Sequence, residues 1–234
     1  MPRTARDIIS DIPYHVIHRG NNRQKIFFSE DDYSYFLSLM NEAKEKHPCK
    51  IYSYVLMSNH IHLLLESFQN SESLAKFIKL VAQKYTQYIN KAQKRTGTLW
   101  EGRFKSSPVS RDNYLLACTR YIEFNPVRAK IVKDPGNYKW SSYRFKTGYN
   151  DTCQLLDKDP LYIDLGKEDK ERQDNYKKWF KESIPPEEWN LIRKAVNKGG
   201  VFGNIQFKEK LEKLLGRSFD VREKGRPIKI KNKK

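Results

Sequence analysis

Two strand-forming runs stand almost end to end in this chain. Lys50 to Met57 and His60 to Glu66 are both rich in aliphatic and aromatic residues, and only Ser58-Asn59 lies between them. So short a connection leaves no room for a crossover, so the two runs must pair antiparallel as a hairpin. Whatever else the chain does, it folds around that unit.

The flanking segments supply the rest of a sheet. Residues 12–19, Ile-Pro-Tyr-His-Val-Ile-His-Arg, read as a strand closed by the turn signal Gly20-Asn21-Asn22. Asp31 to about Lys46 has helical spacing, with Tyr33, Phe36, Leu37, Leu39 and Met40 on its apolar side and His47-Pro48 at its end. A second, longer helix runs from Ser71 to about Arg95. Ser71 or Ser73 caps it, Leu74, Phe77, Ile78, Val81, Tyr85, Tyr88 and Ile89 form its stripe, and Thr96-Gly97 closes it. Phe104 to Val109 reads as a fourth strand. Asp112 caps a helix to about Phe124, which Asn125-Pro126 stops.

The order β-α-β-β-α-β-α is a split β-α-β arrangement. The expected fold is α+β: a ferredoxin-like antiparallel sheet with helices on one face, leaving the other face or an edge open to a ligand. This domain spans residues 1–146. Residues 147–182 read as a linker with a helical segment near Lys170–Glu182. Residues 183–216 form a helical extension, with helices at Pro186–Asn197 and Ile205–Leu215. Residues 217–234 are a basic tail, expected to be disordered without a partner.

Charge narrows the partners. Among 234 residues, 45 Lys and Arg oppose 28 Asp and Glu, a net +17. That balance favours nucleic acid first and an anionic membrane second. Fourteen tyrosines and 12 phenylalanines suit stacking on unpaired bases, although most must be core residues. No apolar run approaches membrane-spanning length and no signal peptide opens the chain, so a soluble intracellular protein is expected. Cys49, Cys118 and Cys153 show neither a disulfide framework nor a zinc spacing.

Two short constellations carry chemistry. Side chains two apart on a strand share a face, so His60 and His62 can chelate one divalent cation while Ile61 packs into the core. Neutral imidazole suits Mn²⁺ or Zn²⁺, and Mg²⁺ when phosphate oxygens complete the shell. Alone, the pair is a weak signal, more often structural. His15 and His18 fall on opposite faces of the first strand; His15 is a candidate neighbour of the site and His18 is left open. His47, beside Pro48, is expected to face solvent. Tyr121 and Asn125 are four apart, one above the other on a helix, so a phenol and an amide oxygen can reach one cation. The ordinary reading of Tyr121 is a half-buried helix tyrosine, and helix termination before Pro126 by itself explains Asn125.

The stretch Tyr54-Val55-Leu56-Met57-Ser58-Asn59-His60-Ile61-His62-Leu63-Leu64 resembles the signature of the single-tyrosine HUH transposases, closest to the REP-associated tyrosine transposases. Tyr14 to Asn21, Gly97 to Lys105, Arg120 to Ala129 and Trp140-Ser141-Ser142-Tyr143 agree in order and spacing, so the likeness covers about residues 10–146. It implies a ferredoxin-like fold, metal ligation by His60, His62 and Asn125 with Mg²⁺ or Mn²⁺, and Tyr121 as nucleophile. The implied activity is a single-stranded DNA endonuclease and strand transferase acting near DNA hairpins, with a 5′-phosphotyrosine intermediate and a free 3′-hydroxyl. The implied setting is the bacterial cytoplasm, at the nucleoid, as a monomer or homodimer.

Arg103, Lys105, Arg111, Arg120 and Arg128 surround the expected site in sequence and are candidates for binding the strand. Trp100 and Phe104 are candidates for base stacking, with core packing the stronger reading of both. Gly225-Arg226-Pro227, with Lys224 and Lys229, resembles a minor-groove hook that inserts Arg226. The competing functions are a non-catalytic single-stranded nucleic-acid-binding module of the same fold, a replication-initiation or conjugative nickase, and a structural metal site without turnover.

Overall fold

A computed structural model of the protein describes residues 8–68, 70–149, 155–182 and 186–220. Four strands, β1 (Pro13–Arg19), β2 (Lys50–Met57), β3 (His60–Glu66) and β4 (Lys105–Pro108), form one sheet in the order β2-β3-β1-β4, each neighbouring pair antiparallel. Helices α1 (Glu30–Lys46) and α2 (Glu72–Ala92) are the two crossovers. This is the ferredoxin-like order. Ser58-Asn59 is the tight turn between β2 and β3.

Local chemistry sets each element. Ser29 and Asp32 form a reciprocal cap at the start of α1, with Glu30, Asp31 and Asp32 in its first turn and Lys44 and Lys46 in its last. The stripe Leu74, Phe77, Ile78, Val81, Tyr85 and Ile89 buries one side of α2. Together with Phe36, Leu39 and Met40 of α1 it covers Val16, Ile61, Leu63 and Leu65 of the sheet, making the larger core.

The other sheet face is not left open. Helix α3 (Asn113–Glu123), capped by the Asp112 side chain, lies against it, followed by the short α4 (Asn125–Arg128). Leu115, Cys118, Tyr121 and Ile122 pack on Tyr52, Val55 and Leu64, and Ile192, Ala195 and Val196 lie in or beside the same layer. Those last three belong to α8 (Pro186–Lys198), which follows α5 (Tyr143–Lys146), α6 (Pro160–Ile163) and α7 (Asp169–Phe180) and precedes α9 (Ile205–Leu215). The two crossover helices thus share one face as expected, while the trailing helix and the extension close the other, where Tyr52, Val55 and Met57 of β2 and Leu64 of β3 give them an apolar surface beside His60 and His62.

Both edges of the sheet are occupied. On β2, Leu56 N donates to Trp140 O, Ser142 N donates to Tyr54 O, and Asp157 exchanges hydrogen bonds with the Ile51 backbone. On the β4 side, Phe202 N donates to Pro108 O and Ser110 N to Phe202 O. Covered edges remove templates for strand addition. Residues 155–180, expected as part of a loose linker, bury Leu155, Tyr162, Tyr176 and Phe180 and so pack closely. The tail beyond 220 lies outside the described residues.

Candidate active site

Strand alternation assembles the site. In β3, Ile61, Leu63 and Leu65 enter the larger core, so His60 and His62 face α3 with Leu64. Arg19 pairs with His60, and Ile17 with both His62 and Lys105, so Arg19 and Lys105 belong to the same sheet face. His15 sits opposite Leu64, diagonal to His62. His18, one residue out of phase with Arg19, points to the α1–α2 side, where its ring stacks on Trp100 at 4.1 Å and Nε2 meets Gly102 O at 3.0 Å. His47 is half-buried at the end of α1.

Tyr121 closes the constellation from above. Its ring centroid is 5.8 Å from His62 and 5.6 Å from His15, and His60 and His62 are 5.1 Å apart. All four side chains come from one chain. Tyr121 is 4% exposed. Trp189 of α8 lies 5.3 Å away across its ring, and the Arg128 guanidinium stands over both rings, at 5.0 Å from Tyr121 and 4.6 Å from Trp189.

Burial keeps the imidazoles neutral. Desolvation pushes His15 down to about 3 and His60 to about 4, Arg19 adding to the shift at His60. His62 falls well below 6.5, first through burial, then through the charges of His15, His60, Arg19 and Arg128. A neutral imidazole carries a lone pair, which a cation needs.

The donor set fits a divalent cation. His60 Nδ1 is 2.6 Å from Asn59 Oδ1 and His62 Nδ1 is 2.8 Å from His15 Nε2, so both Nδ1 atoms are engaged. The Asn125 amide nitrogen donates to Tyr121 O at 2.9 Å and Ile122 O at 3.3 Å. Carbonyls only accept, so that amide must present its NH₂ to them, and its oxygen is the atom turned elsewhere. Among the described residues no group of three or more His, Cys, Asp or Glu side chains is placed to hold a metal; the candidate here is two imidazoles and an amide.

Residues 8–125, half the chain, match the family described as "Transposase IS200 like". The chain belongs to the IS200-like transposase family. A REP-associated tyrosine transposase assignment in Haemophilus influenzae Rd shares 24% identity over 117 residues, 46% of this chain and 66% of that one, just under two thirds of its length. A solved structure described as a REP-associated tyrosine transposase bound to a REP hairpin has the same fold, with a TM-score of 0.55 at 15% identity over 66% of this chain and 90% of that one. A Deinococcus radiodurans R1 protein assigned as a transposase gives a TM-score of 0.36 at 17% identity, over 56% and 92%.

Within this IS200-like domain the expected DNA-binding residues separate. Arg103 and Lys105 line one cleft with Arg19, Glu101 and Asn197, beside the histidines, and Arg128 stands on Tyr121. Arg120 does not belong with them. It is 7% exposed, donates to Trp179 O and Glu182 O, and stacks on Trp179, so it holds α7 to α3. Arg111 bonds the Glu66 carboxylate at 2.7 Å and Asp11 O at 3.0 Å, at the far end of β3 from His60. Trp100 and Phe104 are core residues, Trp100 donating its indole N–H to Ala82 O. Arg226 lies outside the described residues.

Arg19, Asn59 and Trp189 are the neighbours that sequence reasoning passed over. Arg19 was recoverable, since it shares the alternate positions of β1 with His15. Nothing local signals that Trp189 returns to Tyr121.

Proposed function

We propose that the chain is a divalent-metal-dependent nuclease and strand transferase for single-stranded DNA, acting beside hairpins. The convergence of Tyr121 on His62 within a single chain is the observation that carries this reading. Family membership supports DNA processing, and the hairpin-bound relative makes a hairpin the natural substrate to test. No helix among the described residues is long and apolar enough to cross a membrane.

His60, His62 and the Asn125 amide oxygen are the groups that would hold the cation. When bound, it neutralises charge building up on the scissile phosphate. The residues of the chain do the rest. Tyr121 Oη attacks phosphorus and loses its proton; the P–O3′ bond breaks, and the departing 3′-oxygen takes up a proton. The products are a 5′-phosphotyrosine ester and a free 3′-hydroxyl. Because the ester keeps the phosphodiester linkage, a 3′-hydroxyl can reverse the attack and rejoin a strand without ATP. Arg128 keeps the Tyr121 ring in place and adds positive charge beside the phosphate. Arg19, Arg103 and Lys105 line the approach.

The test is trapping. Wild type incubated with a labelled hairpin-flanked single strand and Mg²⁺ or Mn²⁺ should give a covalent protein–DNA adduct, absent in Tyr121→Phe, with both binding the DNA alike. Equal binding with no adduct in either, under every divalent metal, would identify a binding module in place of an enzyme.

A further inference from the structure

Each of the paired histidines has its Nδ1 held by one neighbour, and the two neighbours are held differently. At His60 the chain of bonds is determined. The Asn59 amide nitrogen donates to Arg23 O at 3.1 Å. That carbonyl can only accept, so Asn59 must turn its oxygen toward His60. The 2.6 Å contact is then a bond donated by His60 Nδ1–H, which leaves the Nε2 lone pair bare. Backbone geometry supports this: Asn22 and Arg23 both adopt positive φ, 50° and 58°, which sets the Arg23 carbonyl beside the hairpin turn. Gly20, just before them, approaches the Gln24 carbonyl so closely that a Cβ would collide with it.

At His62 the partner is another imidazole. His15 is 1% exposed, His62 2%, and their rings meet edge to edge, 26° from coplanar with centroids 5.0 Å apart. Between two neutral rings joined at 2.8 Å, one hydrogen lies on the line from His15 Nε2 to His62 Nδ1. If His15 owns it, His62 carries its own hydrogen on Nε2 and has no lone pair there. If His62 owns it, Nε2 is bare, as at His60. Only the second arrangement makes both rings alike.

We propose that His15 and Asn59 are positioning residues for the paired histidines: His15 accepts from His62 Nδ1 as Asn59 accepts from His60 Nδ1, and together they fix both rings in the form whose Nε2 binds a cation. This rests on the metal-site reading above and goes beyond it by assigning the two residues that set ring orientation and tautomer. Such outer partners commonly change metal affinity by about 10- to 100-fold.

The direct measurement is made on metal-free wild-type protein. Long-range ¹H–¹⁵N spectra of the histidine rings should show His60 and His62 both protonated on Nδ1 and bare on Nε2. A hydrogen on His62 Nε2 would overturn the proposal without any variant. Replacement then tests the consequence. His15→Phe keeps an aromatic ring at this position and removes the acceptor, so His62 should shift toward the other tautomer and Mn²⁺ affinity, read by electron paramagnetic resonance, should fall about 10- to 100-fold. His15→Gln, which restores an acceptor oxygen, should recover most of that loss. Asn59→Ala should act the same way on His60. His60→Ala separates the two ideas. If it abolishes Mn²⁺ binding while His15→Phe leaves both affinity and tautomer unchanged, the positioning role is wrong and the metal site stands. If His60→Ala also leaves Mn²⁺ binding unchanged, the metal site itself fails.

Discussion

Glu123 follows Tyr121 by two residues and is fully buried. Its carboxylate accepts from Ser142 Oγ at 2.6 Å, Tyr176 Oη at 2.6 Å and Ser53 Oγ at 3.3 Å, with Lys146 Nζ 3.7 Å away. Those partners come from β2, α5, α7 and the turn before α5, so this side chain fixes the helix that carries Tyr121 to the sheet and to the extension. Burial raises its pKa above the ordinary 4.5, against the opposing pull of Lys146 and the three hydroxyls. A folded-state pKa above the unfolded value means that the folded protein binds the extra proton. The stability this group contributes is therefore complete below pH 4.5 and is lost as pH rises through the folded value. Glu123→Gln removes that titration while keeping one acceptor oxygen. The stability margin of wild type over the variant, from urea unfolding across pH, should be greatest at and below pH 4.5 and should narrow as pH rises. A margin that widens with pH would mean that the donors outweigh desolvation.

At the scale of elements, α8 is where local reasoning and three-dimensional packing part. Helical spacing and an end signal placed α1 to α3 (His47-Pro48, Thr96-Gly97, Asp112 and Asn125-Pro126), and strand-forming runs bounded by turn residues placed β1 to β3. That His60 and His62 share a face was legible from alternation on β3, while a metal role for them came only from the family resemblance. What sequence could not show is which distant segment covers which face. Pro186 marks where α8 begins, yet nothing in its own residues says that Ile192 enters the layer beneath α3 or that Trp189 lies on Tyr121. Arg120 misled for a related reason: a helix arginine is normally solvated, and only the docking of α7 buries it. Ile192 is 1% exposed, so Ile192→Ala should destabilise the docking of α8 by about 2–5 kcal/mol. Amide exchange should quicken through α8 and not through β1 to β3. Nitration of Tyr121 by tetranitromethane should quicken with it, since Trp189 shields that ring. Unchanged nitration alongside fast exchange in α8 would show that the helix does not shield the tyrosine.

For the whole molecule, the excess of +17 does not act evenly. Part of it is spent internally: Arg111 on Glu66, Arg120 on carbonyls of the extension, Lys146 between Glu123 and Asp159. Arg19, Arg103 and Lys105 form a positive rim at the sheet end that carries His60, with Arg128 across from it on Tyr121. A strand threading toward Tyr121 would pass that rim. Each phosphate contact on single-stranded DNA contributes about −0.7 to the slope of log affinity against log salt. Replacing both Arg103 and Lys105 by Ala should therefore flatten the slope by about 1.4, with a larger loss of affinity at low salt than at high. Arg111→Ala, which removes a cation already matched by a buried carboxylate, should leave the slope as it was. Were Arg111→Ala to flatten it and the double replacement not, the strand would run toward the Glu66 end of β3, and the rim beside the histidines would not be its path.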